Sequence, residues 1–290
     1  MAVSARSIRF FRNSPILRSV ALAGAALSLA ACSDMSELYE SEVRAELSKP
    51  VPQEIGILTD SAIARLPAPV RRYFHFAGYI GRRAPRNARV TWGDFRLKRA
   101  HDKPWMQLAC RQFNSVAEPM RDAYMSGRLF KVLPFEGRDK FQDGHGHMLI
   151  MAGGFFKIVD ERSRKLDESG LVTVLAEALL VPSYALQPYM RWEELDSSRA
   201  RATLTWNGIT ASGIFHFAPS GESTRFETRV RWQQGADSLP IPWSGYSSDY
   251  AEQDGIRFPR GMRAVWHEQG GDFEYVQGRI ERIEFDVDRP

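Results

Sequence analysis

From residue 87 onward, apolar and polar side chains alternate, the period-two pattern of half-buried β-strands. In the first such segment Val90 and Trp92 share one face, while Phe95 and Leu97 have the other parity. The switch at Gly93-Asp94 predicts a β-bulge. Phe226, Thr228, Val230 and Trp232 alternate with Glu227, Arg229, Arg231 and Gln233, a strand with one polar face. Asn207-Gly208, Asp254-Gly255 and Gly270-Gly271 lie between alternating stretches and predict tight antiparallel hairpins. The whole reads as a meander of about nine to eleven strands.

Helical periodicity interrupts this pattern. A helix beginning near Asp60-Ser61 is broken by Pro67 and Pro69. Val70, Tyr73, Phe74 and Ala77 then recur at helical spacing until Gly78 stops them, with Arg71, Arg72 and His75 on the solvated face. A second helix, capped by Asp167 or Ser169, presents Leu171, Val172, Val174, Leu175, Ala178 and Leu179 before Pro182 ends it. Such apolar stripes need a concave surface to cover. The expected fold class is therefore mainly β (α+β), a curved antiparallel sheet or half-barrel with one or two helices on its concave face. Residues 60–290 form a single domain in this reading, because no repeat or composition shift divides them.

The first 31 residues have the layout of an export signal. Arg6, Arg9, Arg12 and Arg18 precede the apolar run Val20–Ala31, which is too short to span a bilayer comfortably. The run closes in Leu29-Ala30-Ala31-Cys32, which resembles the lipobox of bacterial lipoproteins. The expected mature chain begins at Cys32, with acyl chains on it as the membrane anchor. Ser33, rather than Asp, follows and favours the outer over the inner membrane, with the domain facing the periplasm. Residues 32–59, acidic at Asp34, Glu37, Glu40 and Glu42 and then Pro-bearing, read as a lipidated tether.

Removing the signal changes the charge. The 39 basic residues include its four arginines, so the chain from Cys32 on carries 35 basic against 35 acidic residues. With no net charge, a nucleic-acid partner is not expected. Once Cys32 is acylated, Cys110 has no disulfide partner, and its place beside Met106 and Leu108 on one strand face makes it a buried structural thiol.

Common catalytic signatures are missing. No Gly-x-Ser-x-Gly turn, glycine-rich phosphate loop or dinucleotide fingerprint occurs, and no cofactor is expected. His267-Glu268 is not followed by a second histidine at zinc-protease spacing, since Gly271 stands there. The best polar cluster is Asp139, Asp143, His145 and His147, a candidate site for an envelope enzyme. The plainer reading is a glycine-rich turn, Asp143-Gly144-His145-Gly146, with no metal bound.

Aromatic residues are the other feature. Trp92, Trp206, Phe226, Val230, Trp232 and Trp266 are the candidate lining of an apolar site on the concave face, against the plainer reading that such residues fill the core. Two helices of about 15 Å cannot cover strands of about 33 Å, so part of that face is left to a ligand or to loops.

Leu66–Gly78 (LPAPVRRYFHFAG), Gly137–Met148 (GRDKFQDGHGHM) and the Leu171–Pro182 helix resemble an uncharacterised bacterial family, a domain of unknown function often found with membrane anchors. The likeness covers residues 60–288 and implies no activity. The architecture it implies is similar to the half-barrels of periplasmic lipoprotein carriers. The leading expectation is a membrane-tethered envelope lipoprotein that binds an apolar molecule such as a lipid or acyl chain. An envelope enzyme and a structural envelope protein are the other two.

Overall fold

The computed structural model describes residues 35–50, 56–130, 132–233 and 240–290. The expected signal and Cys32 lie outside the described residues, as does the 51–55 part of the expected tether.

Thirteen strands form one antiparallel sheet. They are β1 Asn87–Leu97, β2 Met106–Ser115, β3 Met120–Leu129, β4 Leu133–Gln142, β5 His145–Ala152, β6 Phe156–Glu161, β7 Met190–Asp196, β8 Arg199–Trp206, β9 Ile209–Phe217, β10 Ser223–Arg231, β11 Ile241–Gln253, β12 Ile256–Glu268 and β13 Gly271–Phe285. Their order is β6-β5-β4-β3-β2-β1-β13-β12-β11-β10-β9-β8-β7, so the first and last strands pair in the middle of the sheet. Curvature brings its wings together: Asn207, in the β8–β9 turn, donates from Nδ2 to the carbonyl of Asp143, in the β4–β5 turn, at 2.8 Å. The fold is mainly β, an open curved sheet carrying a few helices.

Turn chemistry sets the register. Asn207-Gly208, Asp254-Gly255 and Asp143-Gly144 all have positive φ at both residues, which suits the right-handed twist of the strands they join. In β1 the register slips around Trp92 to Phe95 against both neighbours, the bulge expected at Gly93-Asp94. It turns Trp92 and Phe95 to the same side, where their rings meet edge-on at 5.3 Å.

The helices are α1 (residues 35–47), α2 (Asp60–Ile63), α3 (Ala68–Phe76) and α4 (Arg164–Ala176), followed by a 3₁₀ turn at Pro182–Leu186. Among the described residues no helix is long and apolar enough to cross a membrane. Val70, Tyr73, Phe74 and Ala77 of the α3 stripe are buried, and Tyr73 donates to the carbonyl of Leu179 at 2.8 Å. At Gly78 φ is +78° and an added Cβ would lie 2.3 Å from the Gly255 carbonyl oxygen, so only glycine fits. α4 starts earlier than its apolar stripe suggests. Its cap is Ser163, whose Oγ accepts from the Leu166 amide, whereas Asp167 and Ser169 tie the helix to Gly146 and Trp232 of the sheet.

Within the expected tether, residues 35–47 form α1, which is seated on the sheet. Tyr39 and Val43 are buried against Phe113 and Met120, with Leu47 and Tyr124 at the margin, and Met35 is buried as well. Each large apolar side chain removed from water there contributes about 1.5–3 kcal/mol, enough to seat a short helix. Strand alternation separates the two faces. Phe113, Asp122 and Arg138 point toward α1 on the convex side, whereas Cys110, Gln112 and Arg121 point toward α4 on the concave side. Cys110 is buried among Leu108 and its neighbours, and burial pushes its thiol up to about 12.

Candidate functional site

The aromatic residues expected to line an apolar site are largely closed over by protein. Trp92, Phe226 and Trp266 are at most 8% exposed. Phe226 lies between Phe215 and Trp243 with its ring tilted to the first and edge-on to the second, and Trp266 meets Trp243 and Tyr275. Trp206 is half-buried against the core with its ring edge-on to Tyr189. Trp232 sits at the α4 rim, donating from Nε1 to Glu168 at 2.7 Å beneath Lys165. These positions pack the core and its edge.

Val230 is a clear correction. Against β11, Thr228 pairs with Trp243 and Arg231 with Ile241, so β10 holds one extra residue. This bulge turns Val230 outward, where it is 42% exposed. Arg231 takes the inward position instead. Its guanidinium lies 4.7 Å from the Trp243 ring centre and donates to the Ser169 carbonyl (2.8 Å) and Thr173 Oγ1 (2.6 Å) of α4.

The polar cluster is also divided. Asp139 and His147 lie on adjacent strands, but Asp139 pairs across to Met148 and faces the concave side. There it binds Arg121 at 2.9 Å, beside Glu177 and Gln112. His147 faces the convex side, His145 is exposed next to Asp167, and Asp143 makes the left-handed turn residue with φ +54°. Among the described residues no group of three or more His, Cys, Asp or Glu side chains could hold a metal ion. Asp143, His145 and His147 line one groove, and Asp139 lies across the sheet from them.

What the structure does assemble is a groove of about 1000 Å³ on the convex side, between α1, strands β4 to β6 and the start of α4. One wall is apolar, made by Met35 and Leu38 of α1 opposite Leu149 and Met151 of β5. The other wall is charged, with Lys140, His147, Asp160, Arg162, Arg164 and Asp167. Arg138, only 1% exposed, forms the floor. Its Nη1 donates to both oxygens of Glu42, at 3.0 and 3.1 Å, and Nη2 donates to Nδ1 of His147. Lys140 adds a third bond to Glu42 at 2.7 Å. Burial lowers the His147 pKa, which favours the neutral ring, so Nδ1 accepts from Arg138 while Nε2–H donates to Asp160 at 2.8 Å. Lys157 and His147 together hold Asp160 down to about 2.

Beneath Glu42 lies Asp122, fully buried, with no hydrogen-bond partner on either oxygen among the described residues. Burial first, and then the Glu42 charge, push its carboxyl well above the usual carboxylate range, against the pull of Arg138 and Lys140. The folded protein therefore holds this proton more tightly than the unfolded chain, whose aspartates titrate near about 4. Stability falls as pH rises from there toward the raised folded value. Asp122→Asn removes that loss, so the stability of the variant relative to the parent is expected to grow between pH 4 and pH 8. Urea midpoints across that range check it, and a constant difference would show that Asp122 does not titrate abnormally.

Asp143, His145 and His147, singled out in the sequence, line the groove, but its α1 wall of Met35, Leu38 and Glu42 was not anticipated. The available signal was the repeat of Met35, Tyr39, Val43 and Leu47 at every fourth residue.

Residues 56–278 match a family of unknown function, DUF6544, and the chain belongs to it. A LolA superfamily protein from Nitrosomonas europaea is similar in structure, with a TM-score of 0.42 and 10% identity, over 75% of this chain and 94% of that one. A comparison with curated proteins finds no match.

Proposed function

We propose that this protein is a lipid-anchored envelope protein, held through Cys32 and facing the periplasm from the outer membrane. In this reading it binds an amphipathic, lipid-type molecule in the groove between α1 and β5. The observation that carries the reading is the division of that groove, with half-exposed Leu38, Leu149 and Met151 along one side and charged side chains of both signs, Arg162 and Arg164 beside Asp160 and Asp167, along the other. Its volume lies at the upper end of ordinary ligand sites, about 300–1000 Å³. An acyl chain fits the first wall and a polar head carrying charge the second. Each buried methylene contributes about 0.8 kcal/mol, so about a dozen support micromolar binding after the cost of association. The concave core offers less, since its aromatic residues already cover one another.

Protein purified without detergent is expected to carry lipid visible in native mass spectrometry and to bind a fluorescent fatty acid. Leu149→Asn with Met151→Asn should weaken that binding by about tenfold, roughly 1.4 kcal/mol, with an unchanged circular dichroism spectrum. A protein free of lipid that ignores the probe at tens of micromolar would remove the ligand reading. Anchoring is checked separately: Cys32→Ala should lose palmitate labelling and leave the membrane fraction.

A further inference from the structure

We infer that the β3–β4 and β5–β6 hairpin tips form a docking surface for an anionic lipid bilayer, and that α1 delivers the chain to that same pole. Among the described residues, six of the eight exposed large hydrophobic side chains cluster there: Phe130, Val132, Leu133, Phe155, Phe156 and Ile158. The two turns are joined, since the Gly153 amide donates to the Pro134 carbonyl at 2.8 Å and the rings of Phe155 and Phe156 lie 4.3 Å apart. A contiguous patch of this kind, open to water on a monomer, marks a surface that meets something apolar.

Two observations select a bilayer. The first is charge. Residues 123–135 and 148–159 contain no acidic side chain, Arg128 flanks the tips, and Lys157 beside them pairs with Asp160 at 2.7 Å. Apolar and aromatic residues beside cations suit the boundary between anionic headgroups and acyl chains. The second is the path of α1. Its C-terminal end lies over the opposite end of these strands, where Lys49 reaches Glu118 and Glu46 reaches Gln142. Glu42 sits over Arg138 and Lys140 midway. The helix therefore runs back along β4 toward the tips, and Met35 lines the groove with Met151 and Gly154. Cys32 precedes Met35 by three residues, a reach of about 11 Å at most. This part of the inference rests on the proposed anchoring at Cys32; the patch itself does not. The groove reaches the same pole, since Met151, Gly154 and Lys157 line it.

The test uses the full acylated chain in vesicles of phosphatidylethanolamine and phosphatidylglycerol. Phe155→Cys carries an environment-sensitive fluorophore, and Ala117→Cys, in the β2–β3 turn about 33 Å away along the strands, is the control. Cys110 is buried. Spin-labelled lipid is expected to quench the label at 155 several-fold more than the label at 117. Equal quenching, or a label at 155 that stays in water on membrane-bound protein, overturns the proposal and leaves the patch to a protein partner. The Cys32→Ala chain separates the two ideas. Unacylated, it should still float weakly with the same vesicles, and adding Phe130→Ser with Phe155→Ser should reduce that partition by more than about tenfold. Loss of acyl labelling at Cys32 in the parent chain would remove the anchor while the quenching pattern still decides the tips.

Discussion

Replacing Arg138 with methionine is expected to lower the unfolding free energy by about 3–5 kcal/mol, the cost of stranding buried charge. Arg138 holds Glu42 with two contacts and His147 with a third, all beneath α1. Methionine fills most of the volume but leaves Glu42 facing Asp122 with only Lys140 to offset it. Removing the acid as well should recover much of the loss, because an apolar pair of similar size needs no partner. Arg138→Met with Glu42→Leu should therefore be more stable than Arg138→Met alone. Urea unfolding followed by tryptophan fluorescence measures both. A loss below about 1 kcal/mol for the single variant would mean that α1 is not seated on β4, since an exposed ion pair is worth no more than that.

Phe226→Lys is expected to cost about 4 kcal/mol or more, whereas Val230→Lys should change stability by no more than about 0.5 kcal/mol. The two residues have the same parity along β10, so a regular strand would make both substitutions severe. The bulge between Thr228 and Arg231 separates them: Phe226 remains in the core, its ring closely packed on Gly213, while Val230 lies outside the core and open to solvent. Comparable losses at the two positions would show that β10 runs through without the extra residue.

That pair also shows how far the pattern of residues reaches. Hairpins carried by Asn-Gly and Asp-Gly were legible, because left-handed backbone at both turn positions restricts the choice of residue. The β1 bulge was legible through Gly93, where apolar parity changes visibly. In β10 the side chains continue to alternate through the bulge, and the inward Arg231 is satisfied by ring faces and α4 carbonyls that no local pattern announces. The division of Asp139 from His147 was accessible: a two-residue turn at Asp143-Gly144 pairs Lys140 with His147 and so sends Asp139 to the other face. α1 was hidden for a different reason. Its apolar stripe is narrow, and most of its partners on the sheet are charged residues such as Arg111, Arg138 and Lys140. An acidic stretch ahead of prolines looks the same whether those cations await it or water does.

The central pairing of β1 with β13 sets the order in which the molecule can be completed. Ala88 lies opposite Phe285, a contact spanning nearly the whole domain, and closing so long a loop is slow compared with forming a hairpin. The β1–β6 meander can zip up as it emerges, yet one edge of β1 stays open until the last fifteen residues of sheet arrive. An open, half-apolar edge is a template for another chain. Shortening the C-terminus would therefore not merely trim a strand; it would leave two wings without a hinge and a newly made protein vulnerable to joining its neighbours.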